Sequence, residues 1–255
     1  MANPNLSVWL ATGDGDSMAI GGNHFIHILR RNINVNIILF NNKIYGLTKG
    51  QYSPTTPVGS VTKTSPDGTI ETPFLPGELA MGANATFYAR VIDTDPKMMK
   101  EVFIEAANHK GTSLVEVLQN CIIFNNKVHE DITGKEVREE HQLYLRHGEP
   151  MIFGKNKDQG IIRAGSKFIA AKIGEHGVSK EDVIVHDAHS PDDTRHYMLS
   201  RMALPDYPVA LGVIRQWNTD VYESMMVEQM KKAKENSKVK SVNELLTSGN
   251  TFRID

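Results

Sequence analysis

Apolar and polar positions change in blocks along the first half of the chain. Residues 6–12 ("LSVWLAT") form a short apolar run that stops at a glycine, the pattern of a buried strand. Over residues 17–31, Met18, Ile20, Phe25, Ile28 and Leu29 recur at roughly helical spacing, and residues 35–40 ("VNIILF") supply the next strand. A strand, a helix and a strand within about 35 residues make a βαβ unit, whose crossover calls for a parallel sheet covered on both faces. The pattern then repeats. Residues 77–85 read as helix, 87–93 as strand, 96–109 as a helix opened by Asp95 and Pro96, and 113–119 as strand. Residues 41–76 are rich in Gly, Pro, Ser and Thr and show no period, and unstructured segments of that length inside a domain are commonly functional.

After Cys121 the pattern is less regular. "DVIVHDA", the helix-like "DTRHYMLSRMAL" and "PVALGVIR" suggest further αβ material ending near Arg215. A Lys-rich helix over residues 223–237 and the segment "SVNELLTSG" follow, and the run "KKAKENSKVK" reads as a solvated face. The fold class expected is α/β, a mostly parallel sheet with helices on both faces.

Composition narrows the function classes. The 255 residues are 40% hydrophobic and 23% charged, as in an ordinary globular protein. A formal charge of −2 with mixed signs gives no polyanion-binding footprint, so nucleic acid is not an expected partner. No apolar run approaches the roughly 18 residues of a membrane helix, and the start "MANPNLSVWLATG" lacks the charged and apolar regions of a signal peptide. No membrane partner and a cytoplasmic location are the expectations. The single cysteine, Cys121, allows no internal disulfide.

The candidate chemistry sits where the first strand hands over to the first helix, at Gly13-Asp14-Gly15-Asp16. A dinucleotide fingerprint would need a third glycine where Met18 stands, and a calcium loop would need a ligand at Met18 and a glycine at Ala19. A plain turn with an Asp helix cap is the simplest alternative. However, Asn41 and Asn42 directly follow the second parallel strand, at the end of the sheet where open α/β folds bind ligands. A carboxylate from one strand end and an amide oxygen from the next can share a hard cation, while glycines let backbone N–H groups approach phosphate. These parts suit a Mg-diphosphate clamp.

Gly13-Asp14-Gly15, a spacer of 26 residues and Asn42 resemble the thiamine diphosphate motif. "NNKIYGLTKGQYSPTT" resembles the beta subunit of 2-oxoacid:ferredoxin oxidoreductases, especially the 2-oxoglutarate type. The likeness continues through "TIETPFLPGELAMGANATFYAR", "LVEVLQNCIIFNN" and "VIVHDAH" to the closing "SVNELLTSG", nearly the whole chain. It implies a thiamine diphosphate and Mg domain whose core is residues 1–125, with residues 126–255 as its αβ continuation and helical tail. By the resemblance Asp14, the Asn42 side chain and the Ile44 carbonyl bind Mg. Gly13, Gly15 and Asp16 line the diphosphate, with Gly46, Leu47 and Thr48 further along the cofactor. Leu47, Thr48 and Lys49 lie beside the thiazolium and the 2-oxoacid, where Leu47 and Lys49 shape the substrate and Lys49 pairs with a second carboxylate. The implied reaction is oxidative decarboxylation of 2-oxoglutarate to an acyl-coenzyme A, with electrons passed to ferredoxin. The glutamate facing the aminopyrimidine is expected on an alpha subunit, so that this chain alone shows no turnover.

In the resembling family a cysteine at the position of Cys121 is the last ligand of a [4Fe-4S] cluster whose other ligands come from an N-terminal segment with a C-x-x-C pair. By that comparison this chain starts several tens of residues late, and truncation is favoured over loss of the cluster. An isolated chain is then expected to expose apolar surface. Two rival functions stay open: a non-redox thiamine lyase or synthase domain, and a truncated subunit that only binds a partner. The remaining candidates rank lower. His24 and His27 lack the spacing and the Glu of a helical zinc site, and His186, Asp187 and His189 read as a strand-end cluster that satisfies hydrogen bonds.

Overall fold

A computed structural model describes residue 3, residues 5–252 and residue 254. Its first half follows the βα rhythm: β1 (Trp9–Gly13), a π-turn (Asp16–Ile20), α1 (Gly22–Arg31), β2 (Val35–Asn41), α2 (Pro76–Gly82), β3 (Phe87–Ile92), α3 (Pro96–Asn108) and β4 (Thr112–Leu118). The second half runs through α4 (Glu130–Thr133), α5 (Arg138–His141), β5 (Gln142–Leu145), β6 (Ile152–Phe153), β7 (Gln159–Ala164) and β8 (Lys167–Lys172). It closes with α6 (Thr194–Arg201), β9 (Val209–Gln216), α7 (Tyr222–Asn236) and α8 (Val242–Leu246).

Six strands form one sheet in the order β1-β2-β4-β3-β9-β5. The first four are mutually parallel, β9 runs antiparallel to β3, and β5 lies parallel to β9. The sheet is therefore mostly parallel, as the βαβ pattern requires. Alternation along the strands feeds two cores. On one face Leu39, Leu114 and Tyr88 pack with Phe25 and Leu29 of α1, Ala80 of α2 and Leu199 of α6. On the other, Val91, Val115 and Val117 meet Val102 and Ala106 of α3. Because both faces are covered, every residue of β3 and β4 is buried, the polar ones included.

Three details depart from the sequence reading. The helix expected over residues 17–31 is broken. A π-turn comes first, and the Gly21 N–H closes it on the Asp16 carbonyl at 2.9 Å, so α1 starts at Gly22. A Cβ on Gly21 would lie 2.5 Å from that carbonyl oxygen, which is why a glycine stands there. Second, β1 is not buried. It is an edge strand paired only with β2, and Leu6, Val8 and Leu10 are exposed, while Trp9 meets Phe103 of α3 edge to face. Third, residues 182–188 form no strand. Val183 and Val185 make single bridges to Ile162 and Pro150, against an antiparallel β6-β7-β8 meander that the apolar pattern did not signal.

The C-terminal α7 has no buried side chain, in accord with a solvated lysine face. It is tethered where the Asn34 N–H donates to Glu223 (3.1 Å) and the Asn32 amide donates to the Asp220 carbonyl (3.0 Å). No helix among the described residues is long and apolar enough to cross a membrane.

Candidate metal and diphosphate site

Parallel pairing of β1 with β2 sets Gly13 beside Phe40, so the turns leaving both strands open on the same edge of the sheet. Asp14 falls in the first turn and Asn42 just past the second strand, 28 residues apart in sequence. The Asp14 side chain is 1% exposed. Its Oδ2 accepts hydrogen bonds from the Ser53 hydroxyl (2.5 Å) and the Thr55 hydroxyl (2.5 Å), and its Oδ1 faces the Asn42 backbone N–H at 3.5 Å. Burial raises the Asp14 pKa above the usual carboxylate value, and the Ser53 and Thr55 hydrogen bonds oppose that shift without cancelling it.

The decisive geometry lies on the other oxygen. The Asn42 side-chain oxygen faces Asp14 Oδ1 at 3.1 Å and the Ile44 carbonyl oxygen at 3.0 Å, so that three oxygens converge there. Turned about, the same amide would donate to both. Two oxygens bound at right angles to Mg, with bonds of about 2.1 Å, lie about 3.0 Å apart. One carboxylate, one amide and one carbonyl thus present part of an octahedron of hard oxygens. Among the described residues no group of three or more His, Cys, Asp or Glu side chains is arranged to hold a metal, and this mixed set includes only one such side chain.

Gly15 needs its lack of a side chain for a reason local to this turn. A Cβ there would sit 2.1 Å from the Tyr45 ring, so the π-turn and the loop after β2 can close together only over glycine. Partial burial and the neighbouring Asp16 carboxylate raise the Tyr45 phenol. Asp16 itself is exposed at the start of the π-turn. Beyond Tyr45 the chain folds into a knuckle: Tyr45 bridges Gln51, the Lys49 N–H donates to the Gly46 carbonyl at 2.9 Å, and Thr48 donates to the Gln51 side chain. Lys49 (φ 66°) and Gly50 (φ 100°) take left-handed conformations to turn the corner. Leu47, Thr48 and Lys49 stand at the tip, and Leu47 is 75% exposed.

Comparison with known proteins decides the family. Residues 1–117 match the thiamine pyrophosphate enzyme C-terminal TPP-binding domain. Over all of its length this chain is 44% identical to the Mycobacterium tuberculosis 2-oxoglutarate oxidoreductase subunit KorB, of which it covers 68%. The chain belongs to the 2-oxoacid oxidoreductase beta subunits. Another relative, the Archaeoglobus fulgidus 2-oxoglutarate synthase subunit KorB, is 48% identical over 48% of this chain and 45% of its own length. In fold, the chain is similar to a 2-oxoglutarate:ferredoxin oxidoreductase from Magnetococcus marinus, solved with 2-oxoglutarate, coenzyme A and succinyl-CoA bound, at a TM-score of 0.71 and 24% identity, over 98% of this chain and 70% of that one.

In this beta-subunit chain the structure brings Gly13, Asp14, Gly15, Asn42 and Ile44 to one turn and holds residues 46–49 beside it. Ser53, Thr55 and Thr56 were missed by the sequence reading. Their signal was present: "SPTT" lies in the aperiodic segment, where three hydroxyls within four residues can serve a buried carboxylate. Asn125 was missed as well. Its amide donates to the carbonyls of Asn42 (3.0 Å) and Lys43 (3.3 Å), and Phe124 packs where a Cβ on Gly50 would come within 3.2 Å. The loop that starts at Cys121 therefore buttresses the candidate metal turn. Cys121 is half-buried and its carbonyl accepts from the Asn125 N–H at 2.9 Å. One thiolate does not by itself hold a [4Fe-4S] cluster, which takes four.

The histidines fall into other duties. His24 and His27 are exposed on α1, away from any metal-binding group of described residues. His186 is buried and its Nε2 donates to the Val213 carbonyl at 2.9 Å, while burial holds its pKa down at about 4. His189 Nδ1 pairs with the Gln216 carbonyl at 2.8 Å.

Proposed function

We propose that this chain is the thiamine-diphosphate-binding beta subunit of a 2-oxoacid:ferredoxin oxidoreductase, with 2-oxoglutarate as the 2-oxoacid. The observation that carries the reading is the oxygen trio of Asp14, Asn42 and Ile44 at the open end of parallel strands, spaced as a Mg ion would space it. Asp14, Asn42 and the Ile44 carbonyl would hold the metal, and Gly13, Gly15 and Asp16 would leave room for the diphosphate. Thiamine diphosphate, when bound, would supply the nucleophilic carbon and the electron sink that decarboxylation of a 2-oxoacid needs.

The chain's own part is placement. Ser53 and Thr55 hold Asp14 Oδ2, so that Oδ1 stays turned toward the metal position. The knuckle presents Leu47 as a wall and Lys49 as a cation for the distal carboxylate of a dicarboxylic substrate, and Lys49 makes no ion pair among the described residues. The reading includes an alpha subunit that completes the site, coenzyme A as acyl acceptor, ferredoxin as electron acceptor, a [4Fe-4S] cluster to which Cys121 would give one ligand, and a cytoplasmic location. The names of the relatives and the match to a thiamine pyrophosphate domain support it.

The test is calorimetric titration of thiamine diphosphate and Mg into this chain complexed with its alpha subunit, compared with the Asp14→Ala complex. Binding that requires both Mg and Asp14, together with 2-oxoglutarate-dependent reduction of ferredoxin, is the expected result. Cofactor binding and decarboxylation without ferredoxin reduction would move the chain to the non-redox thiamine enzymes. A folded complex that binds no cofactor would make it a partner-binding subunit.

A further inference from the structure

Behind the candidate metal turn lies a buried ionic network that neither metal nor diphosphate would touch. Glu116, in the middle of β4, is 1% exposed and accepts from Arg90 Nε at 2.8 Å, from the Tyr88 hydroxyl at 2.5 Å and from the Asn41 side-chain amide at 2.7 Å. Arg90 also donates to the Tyr88 hydroxyl and to the Ser200 carbonyl, both at 3.0 Å. Burial favours the neutral acid at Glu116, but the Arg90 charge and the hydrogen bonds outweigh it and lower the carboxyl pKa.

A buried pair of charges in the centre of a sheet contributes little net stability, because the desolvation penalty offsets the attraction. Its geometry suggests what it does instead. Glu116 holds the side chain of Asn41, the last residue of β2, and His129 Nε2 donates to the Asn41 backbone carbonyl at 2.9 Å. The next residue is Asn42, the amide of the oxygen trio. Asn41 Oδ1 and His129 Nδ1 have no partner, and both residues are buried against a cavity of about 110 Å³ also lined by Thr55, one of the two donors to Asp14.

We infer that Glu116 and His129 are positioning residues: they clamp Asn41 from its side chain and its backbone, and thereby fix the Asn42 amide and the Ile44 carbonyl at the spacing a divalent cation takes. This rests on the Mg-diphosphate reading for its consequence in catalysis, but the clamp itself can be measured without any ligand. Neither residue touches the reacting atoms.

The experiment uses the complex with the alpha subunit and two readouts: amide hydrogen exchange over residues 41–46 without cofactors, and the Kd for Mn²⁺, by electron paramagnetic resonance, with thiamine diphosphate present. The variants are Glu116→Ala, His129→Ala, His129→Gln and, as a control of comparable burial at the opposite end of β4, Thr112→Val, which loses hydrogen bonds to the Ile28 and Ile33 carbonyls. Glu116→Ala and His129→Ala are expected to speed exchange and weaken Mn²⁺ binding, each by about tenfold, with kcat recovered at saturating metal. His129→Gln, which can still offer an N–H to Asn41, should restore both values, and Thr112→Val should lower Tm and leave both unchanged. If Glu116→Ala fails to fold with Arg90 unpaired, the two His129 variants decide the matter. Unchanged exchange in His129→Ala, or equal effects in Thr112→Val, would overturn the inference. Mn²⁺ binding in the parent complex that ignores Asp14→Ala would instead remove the metal reading, and the exchange data would still judge the clamp.

Discussion

The oxygen trio of Asp14, Asn42 and Ile44 and the knuckle at residues 46–49 are separated only by Tyr45, yet they are built by opposite rules. At the trio the hydrogen-bonded supports come from elsewhere in the chain: hydroxyls from Ser53 and Thr55 and an amide from Asn125, while the adjoining Tyr45 ring tolerates only glycine at position 15. The knuckle closes on itself, through Gly46, Lys49 and the Thr48–Gln51 contact, and leaves its tip in solvent. The difference separates two tasks. A divalent ion demands oxygens already fixed before it arrives, because moving them during binding costs affinity. A substrate loop can stay exposed until a partner surface covers it, and the buried supports that hold the trio would be wasted on it.

The sharpest way to break this contrast is Asp14→Asn. It should abolish metal-dependent thiamine diphosphate binding, by at least about 100-fold in Kd, because the one charged ligand of the trio becomes neutral. The same substitution should raise the Tm of the metal-free complex at neutral pH. The sign follows from the raised Asp14 pKa. A carboxyl that holds its proton more tightly when folded loses stability as pH rises from its unfolded value through its folded one. Above that window the ionised, buried group is a burden that asparagine lacks. A Tm unchanged or lowered by Asp14→Asn would contradict this.

Next comes Gly15→Ala. Overlap with the Tyr45 ring should cost about 1–3 kcal/mol, read as a lower midpoint in denaturant. Adding Tyr45→Ala to the same chain should return most of the loss, and a double variant as unstable as the single one would show that the clash is not the cause.

Ser53→Ala and Thr55→Val should each weaken metal binding by about tenfold with no change in the substrate dependence. Each should also shift the pH at which metal affinity fades upward, since both hydrogen bonds lower the Asp14 pKa. Metal affinity falls as pH drops through that pKa, because the proton and the cation compete for one carboxylate. A downward shift would mean that the hydroxyls do not serve the ionised form.

The narrowest effect, confined to one substrate, is expected at the knuckle. Lys49→Ala should leave metal binding and Tm within error and lower kcat/KM by about tenfold for 2-oxoglutarate, with little change for pyruvate, as one charge-assisted contact is removed. Equal losses for both substrates would leave Lys49 without a role in selecting a dicarboxylic acid.

Local order in the chain was enough to read the parallel βα frame and the pairing of Asp14 with Asn42. Period-two and period-3.6 patterns report which residues face a core, and β1-α1-β2 must bring the two strand ends to one edge. The same local rules misjudged β1. "LSVWLAT" is apolar, but burial depends on what lies alongside, and only β2 does. They also passed over residues 150–172, whose short strands alternate weakly and share a core with Leu143, just before them, and with Tyr207, some 35 residues beyond.

What the sequence determined by itself, then, is the frame and the identity of the atoms at the turn: glycines where backbones must close, and one carboxylate and one amide at successive strand ends. Only the tertiary structure decided how those atoms are aimed. Ser53 and Thr55 reach Asp14 across 39 and 41 residues, Glu116 reaches Asn41 across 75, and His129 reaches it across 88. Contacts at such separations leave no periodic trace, because they depend on where whole strands and loops come to rest. Those contacts set the spacing of the three oxygens.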